Sequence, residues 1–183
     1  MSLFQNVVII AILIIAAGFL SLTEIALAGA RKVKLKILAE SGDERAQKVL
    51  DLQHQSADFF AASQIGLNAV AILGGILGEA AFRPFFVHLV DRFYDGPWTE
   101  TIGFVLSFTF VTSLFILFAD LMPKRLAMIA PEKIAVSVIN PIQVFIKICK
   151  PLAWFINAIA NLLFRLFKVN TTRDDNITFD DIS

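Results

Sequence analysis

Residues 7–29 read VVIIAILIIAAGFLSLTEIALAG, an apolar run whose first 14 positions carry neither a charge nor a polar side chain. An α-helix rises 1.5 Å per residue, so about 20 such residues cross the hydrocarbon core of a bilayer. We therefore predict that residues 3–28 form a membrane-spanning helix. Because no cationic residue precedes the run, it is interpreted as a retained helix rather than a cleaved signal peptide.

The composition of the whole chain is typical of a membrane protein. Hydrophobic residues make up 57% of the 183 residues and charged residues only 17%, and the mean hydropathy is +0.72. A soluble domain carries about a quarter charged residues. The formal net charge is zero and the single cysteine allows no intramolecular disulfide. We predict an all-α integral membrane protein whose partner is the lipid bilayer and not a nucleic acid.

Two further apolar runs and an interrupted apolar region complete the predicted fold. Residues 59–82 and 101–121 are long enough to span, and Pro123 is expected to break or kink the third span near Asp120. Residues 134–167 are apolar but are divided by prolines and carry spaced cations. They favour short amphipathic or re-entrant helices at the cytoplasmic interface, with a short fourth span over 152–167 as the alternative.

The distribution of lysine and arginine predicts the orientation. Six lie between the first two spans, two lie in the loop 83–100, and eight follow the third span. Such residues concentrate on the cytoplasmic side of a membrane. With three spans, the N-terminus is outside and the C-terminal tail is cytoplasmic.

Polar residues cluster at one depth of the three predicted spans. Because successive helices alternate in direction, the end of the first, the start of the second and the end of the third fall in the same third of the bilayer. Polar groups in lipid are costly and tend to be functional. The candidate cation- or substrate-binding residues are Ser21, Glu24, Gln64, Asn68 and Asp120, supported by Thr23, Ser63, Pro123 and Lys124.

The chemistry of this cluster suits a cation. Carboxylate, hydroxyl and amide oxygens are the ligands that Mg²⁺ prefers, and an organic dication could use the two carboxylates. The cluster contains no histidine or cysteine, which disfavours zinc and copper. The competing interpretation is structural: Glu24 pairs with Arg31 or Lys124, and the hydroxyls bond their own helix backbone. No nucleophile–base pair is evident, so we predict no catalytic residues and no enzyme.

Two motifs resemble a known family. Residues 19–27, FLSLTEIAL, resemble the first-helix motif of the CNNM/CorC transmembrane domain (DUF21, formerly UPF0053), and residues 118–125, FADLMPKR, resemble its G-E-x-x-P-K motif. The resemblance implies a homodimer of three-span subunits with a belt of short helices, and Mg²⁺ transport or efflux, Na⁺-coupled in some members. It also implies that Mg²⁺, if bound, is held by Ser21, Asn68 and Asp120, with Glu24 as the acid of the first motif.

The motifs are most similar to the branch of the family called polyamine export proteins. This branch is linked to efflux of cadaverine and putrescine, and Asp120 is one methylene shorter than the usual glutamate. We therefore expect a bacterial inner-membrane exporter of polyamines. The alternatives are a Mg²⁺ transporter and a non-transporting scaffold or sensor. We expect no required cofactor, although the site could bind Mg²⁺ or Na⁺. The resemblance assigns residues 1–168 to the transmembrane domain and 169–183 to a linker leading to cytoplasmic CBS and CorC-type domains.

Overall fold

The computed structural model describes residues 3–54, 56–94 and 96–166, and all regular structure within them is helical. The predicted linker 169–183 lies outside the described residues. The elements in chain order are α1 (Leu3–Gly29), α2 (Lys32–Glu40), α3 (Glu44–His54), α4 (Ser56–Asp91), α5 (Thr99–Leu114), a π-helical segment (Phe115–Leu121), α6 (Met122–Ile129) and α7 (Pro131–Leu166).

Four helical stretches are long and apolar enough to cross a membrane by length and composition. The predicted all-α class is confirmed, and three of the stretches contain the three predicted spans. The fourth lies in α7, where the sequence predicted short helices. The four stretches are Phe4–Gly29, Phe59–Asp91, Thr99–Ile129 and Pro131–Ile156.

Helix α7 is one continuous helix of 36 residues, so the prediction of several short helices over 134–167 is wrong. Pro141 and Pro151 lie inside it. An internal proline removes one backbone hydrogen bond, but the apolar stripe on the buried face of α7 runs through the first proline without interruption. That stripe is Ala135, Val136, Ile139 and Ile142, which has helical spacing and lies in the apolar core, where α7 contacts α1, α3 and α4.

Helix α4 also continues through a proline. The sequence predicted a loop from residue 83, whereas the helix runs through Pro84 to Asp91. A proline in a membrane helix is tolerated because neighbouring groups satisfy the freed carbonyls. The polar region before α4 is divided into two helices, because the chain turns at Gly42, whose φ of 99° suits glycine. Helices α2 and α3 therefore form a hairpin.

Glycines on α4 allow close packing of the apolar helices, and Gly74 and Gly78 have the GxxxG spacing that permits such approach. A Cβ atom at Gly74 would clash with the ring of Phe115, and one at Gly78 would clash with Val111. One at Gly66 would meet Leu20 of α1 at 2.8 Å. The same helix thus contacts α1 on one side and α5 with the π-helical segment on the other.

Polar contacts fasten the α2–α3 hairpin to the ends of α1 and α7. The Gln53 side-chain nitrogen donates to the carbonyls of Leu27 and Ala30 at 2.8 and 2.9 Å, which satisfies the free carbonyls at the end of α1. The Arg31 guanidinium lies 3.2 Å from the Glu132 carboxylate at the start of α7. These contacts hold the last turns of α1, which carry several of the predicted site residues.

Candidate cation-binding cleft

Asp120 lies in a local widening of the third apolar helix. The N–H of Met122 bonds to the carbonyl of Leu117, five residues back, as in a π-helix. Pro123 follows directly; it has no N–H to donate, and its ring would crowd a preceding carbonyl in a regular helix. The sequence predicted a break or a kink near Asp120. The chain stays helical there and accommodates the proline with a π-helical turn. Such turns are uncommon and often occur at functional sites.

Ser21 of α1 contacts Asp120 directly. The buried Ser21 hydroxyl donates to Asp120 Oδ1 at 3.1 Å. The two helices come this close because Gly18 has no side chain: a Cβ atom there would lie 3.2 Å from Pro123 Cγ and 3.4 Å from the carbonyl oxygen of Phe118. The residues at the end of the first predicted span and the end of the third therefore meet.

Lys124 is the charged partner of Asp120. Its ammonium nitrogen lies 2.6 Å from Asp120 Oδ1, and the exposed fractions of the two side chains are 36% and 48%. If the polar cluster were only structural, the sequence predicted that Glu24 would pair with Arg31 or Lys124. The structure pairs Lys124 with Asp120 and Arg31 with Glu132 instead.

Glu24 lies one turn beyond Ser21 on α1 and faces α4. It accepts a hydrogen bond from the Gln64 side-chain nitrogen at 3.4 Å, which is long for such a bond. Within the described part of the chain, no lysine or arginine lies within 4.0 Å of the Glu24 carboxylate.

Both carboxylates line one cleft of about 380 Å³ between α1, α4 and the π-helical segment. Its polar lining is Glu24, Gln64, Asn68, Asp120 and Lys124. Apolar residues, among them Ala71 and Phe115, form the rest of its wall. The cleft thus combines separated polar groups with an apolar surface, which is the usual composition of a site for a small organic ligand.

Three sequence-predicted residues stand apart from this cleft. Thr23 is buried and donates to the Phe19 carbonyl of its own helix at 2.7 Å, as the structural interpretation expected. Ser63 is buried, and its hydroxyl has no hydrogen-bond partner within the ranges that the structure describes. Pro123 is also buried and acts on the site through the π-helical turn that it follows.

The residues predicted to hold a metal ion are only partly brought together. Ser21 and Asp120 are in contact, and Asn68 lines the cleft that Asp120 also lines. Among the residues 3–54, 56–94 and 96–166, no three histidine, cysteine, aspartate or glutamate side chains gather closely enough to hold a metal.

Phe115 is the site residue that the sequence analysis missed. Its ring fills the space left open by Gly74 and lines the cleft beside Asp120. The chain contains 18 phenylalanines, so its residue type gave no indication of a role. Gly74 could have indicated this role, because a glycine on one packed helix makes room for a bulky side chain from the next.

Comparisons with known proteins place the chain in a family. The family model described as the cyclin M transmembrane N-terminal domain (CNNM) matches residues 8–183. A polyamine export protein of Escherichia coli K12 is 50% identical over 178 residues, which is 97% of this chain and 40% of that protein. A polyamine export protein of Haemophilus influenzae is 44% identical over 182 residues, covering 100% of this chain and 42% of that protein.

A more distant relative is a UPF0053 protein of Synechocystis, 30% identical over 172 residues, or 93% of this chain and 38% of that protein. The chain thus spans about two fifths of the length of the curated relatives it matches. The apolar helices and the bacterial export-protein relatives identify a multi-pass bacterial membrane protein. Since the family match covers all but the first seven residues, the chain belongs to the CNNM transmembrane-domain family.

Proposed function

We propose that this chain is the membrane domain of a cation exporter whose cargo is a polyamine such as putrescine or cadaverine. The observation that carries the proposal is that Glu24 and Asp120, from two different apolar helices, line one cleft. Carboxylates at membrane depth are costly and are retained where they bind or conduct a cation. A linear diamine carries two positive charges and can neutralise both carboxylates.

The apolar part of the cleft lining favours a diamine over Mg²⁺. A diamine has an apolar chain between its charged ends, and the cleft offers Ala71 and Phe115 as apolar wall. Mg²⁺ demands near-octahedral oxygen coordination and sheds its water reluctantly. The relatives at 44–50% identity are named polyamine export proteins, which supports the same cargo. A Mg²⁺ transporter using Ser21, Asn68 and Asp120 is the alternative that the experiment below separates.

We propose that three of the four apolar helices cross the membrane and that α7 lies along the cytoplasmic interface. Lys147 and Lys150 are exposed in the middle of α7, where a spanning helix would hold them in lipid. In addition, Lys48 of the polar hairpin donates to the Asn140 side chain of α7 at 3.2 Å. This arrangement keeps the N-terminus outside and the C-terminus in the cytoplasm of an inner-membrane protein. From the family resemblance we also propose that the protein is a homodimer. Transport would proceed by alternating access, in which the cleft opens in turn to each side of the membrane.

Flux measurements in liposomes test the proposed cargo. The purified chain is reconstituted, and uptake of labelled putrescine is measured beside entry of Mg²⁺ reported by a trapped indicator. We expect putrescine flux that is lost in Asp120→Asn and Glu24→Gln. Glu100→Gln is the matched control, because Glu100 is exposed at the start of α5 and does not line the cleft.

Each alternative has its own outcome in this assay. Mg²⁺ flux without putrescine flux would overturn the polyamine cargo and favour the metal transporter. If folded protein carries neither cation, or if the two carboxylate variants transport as well as the control, the proposed exporter site is wrong. The absence of both fluxes would favour a scaffold or sensor.

A further inference from the structure

Lys124 places a primary ammonium on the carboxylate to which we assign one end of the cargo. We infer that this ammonium is an internal stand-in for the cargo: it neutralises Asp120 in the empty cleft, and an ammonium of the incoming diamine displaces it. The inference rests on the proposed function, since it concerns how the same cleft takes a polyamine. It assigns Lys124 as a residue that sets affinity and specificity.

The contact between Lys124 and Asp120 is short, yet both partners are free to separate. The two charged atoms are 2.6 Å apart, and more than a third of each side chain is exposed. Lysine carries its charge on a flexible four-carbon stem with three rotatable donors, so it can leave the carboxylate without a change in the backbone. The buried Ser21 hydroxyl donates to the same Asp120 oxygen and would hold the carboxylate in place during the exchange.

The charges in the cleft favour displacement over simple addition. The empty cleft has two carboxylates, Glu24 and Asp120, and one ammonium, Lys124. A diamine added beside the bound Lys124 would bring three positive charges to two carboxylates, and like charges held this close repel one another. A diamine that displaces Lys124 from Asp120 pairs one ammonium with each carboxylate. Binding of a dication therefore requires the lysine to move out.

The same exchange would serve the return of the empty transporter. Once the cargo leaves, Asp120 would be a bare carboxylate at membrane depth, where an unpaired charge is costly. The tethered ammonium of Lys124 can pair with it again, so Asp120 is neutralised while the empty site changes conformation. Lys124 is thus expected to weaken cargo binding and to speed turnover.

The competing interpretation is an ordinary helical ion pair. Lys124 follows Asp120 by four residues, a spacing at which exposed pairs form with little energetic consequence. In that case Lys124 would influence the cargo only through its charge, and any cation at position 124 would have the same effect. The two interpretations therefore differ for a substitution that keeps the charge and changes the strength of the pair.

Putrescine affinity of Lys124 variants separates the two interpretations. Binding is measured by calorimetry on the purified chain in nanodiscs. Lys124→Met should tighten putrescine binding about two- to fivefold. The substitution removes the ammonium that competes for Asp120, and an exposed ion pair contributes up to about 1 kcal/mol. Lys124→Arg should weaken binding, because a guanidinium pairs with a carboxylate through two parallel hydrogen bonds. Arg125→Met, the matched removal of an exposed neighbouring charge outside the cleft, should bind as the unchanged protein does.

An NMR measurement observes the displacement itself. The lysines are converted to ¹³C-dimethyl-lysine, which keeps their charge, and the Lys124 signal is identified by its loss in Lys124→Arg. We expect this signal to shift during a putrescine titration and to saturate with the calorimetric binding curve.

The outcomes distinguish failure of this inference from failure of the proposed function. If the unchanged protein shows no saturable putrescine binding and no flux, both the proposed function and the role of Lys124 are overturned. If it binds and transports putrescine while Lys124→Arg binds equally well, the stand-in role alone is overturned. A Lys124 signal that stays fixed as the cleft saturates overturns it too, and this measurement does not require Lys124→Met to fold.

Discussion

Substituting Gly74 by alanine should disturb the cleft through Phe115, whereas the same change one residue later should not. A Cβ atom at position 74 would overlap the end of the Phe115 ring, which lines the cleft beside Asp120. A Cβ atom at position 75 would meet no atom within 4 Å. Gly74→Ala and Gly75→Ala are therefore a matched pair on the same turn of α4.

The difference in stability between the two variants isolates the packing cost. Both variants exchange glycine for alanine within a helix. Both are therefore stabilised by the same difference in helix propensity, which is up to about 1 kcal/mol. Only Gly74→Ala has to displace an aromatic ring, and overpacking of this kind typically costs about 1–3 kcal/mol. For a protein of this size that difference corresponds to roughly 2–12 °C in Tm. Because the displaced ring borders the cleft, Gly74→Ala should also weaken putrescine binding.

Thermal unfolding in detergent measures this difference through the fluorescence of Trp98 and Trp154. Gly75→Ala should unfold at or above the temperature of the unchanged protein, and Gly74→Ala below it. Equal melting temperatures and equal putrescine affinities for the two variants would refute the packing of Phe115 on Gly74.

Three other substitutions test individual hydrogen bonds. Ser21→Ala removes the hydroxyl that donates to Asp120 and should weaken putrescine binding about fivefold, from a net hydrogen bond of about 1 kcal/mol. Thr23→Val should leave calorimetric affinity unchanged because Thr23 bonds only its own helix backbone, and a loss equal to that of Ser21→Ala would contradict the assignment. Gln53→Leu frees the carbonyls of Leu27 and Ala30 and should lower stability by about 1–3 kcal/mol in denaturant unfolding. An unchanged unfolding midpoint would show that those bonds do not secure the end of α1.

The sequence predicted the parts of the fold that composition controls. An uncharged run such as residues 7–20 has few alternatives to a membrane helix. The three predicted spans lie in α1, in α4, and in α5 together with the π-helical segment. The prolines misled the prediction because their effect depends on their surroundings. Pro84, Pro141 and Pro151 remain inside helices.

The sequence indicated the depth shared by the candidate residues but not their pairings. Alternating helix direction puts the ends of the first and third spans at one depth, and the structure adds the contact between Ser21 and Asp120. The partner of each charge did not, because Lys124 could reach either carboxylate and helix rotation decides between them. The π-helical turn sets the direction of Asp120, and no residue pattern before Pro123 specified it.

The most direct test of the central claim, that Glu24 and Asp120 bind the two ends of one diamine, compares putrescine with butylamine. Butylamine has the same carbon chain and one ammonium. The affinity of each amine is measured by calorimetry on the unchanged protein and on Glu24→Gln. A hydrogen bond to a charged group is worth about 1.5–3 kcal/mol, so putrescine should bind roughly 10- to 150-fold more tightly than butylamine. We predict that this preference disappears in Glu24→Gln; a preference that survives the substitution would contradict the claim.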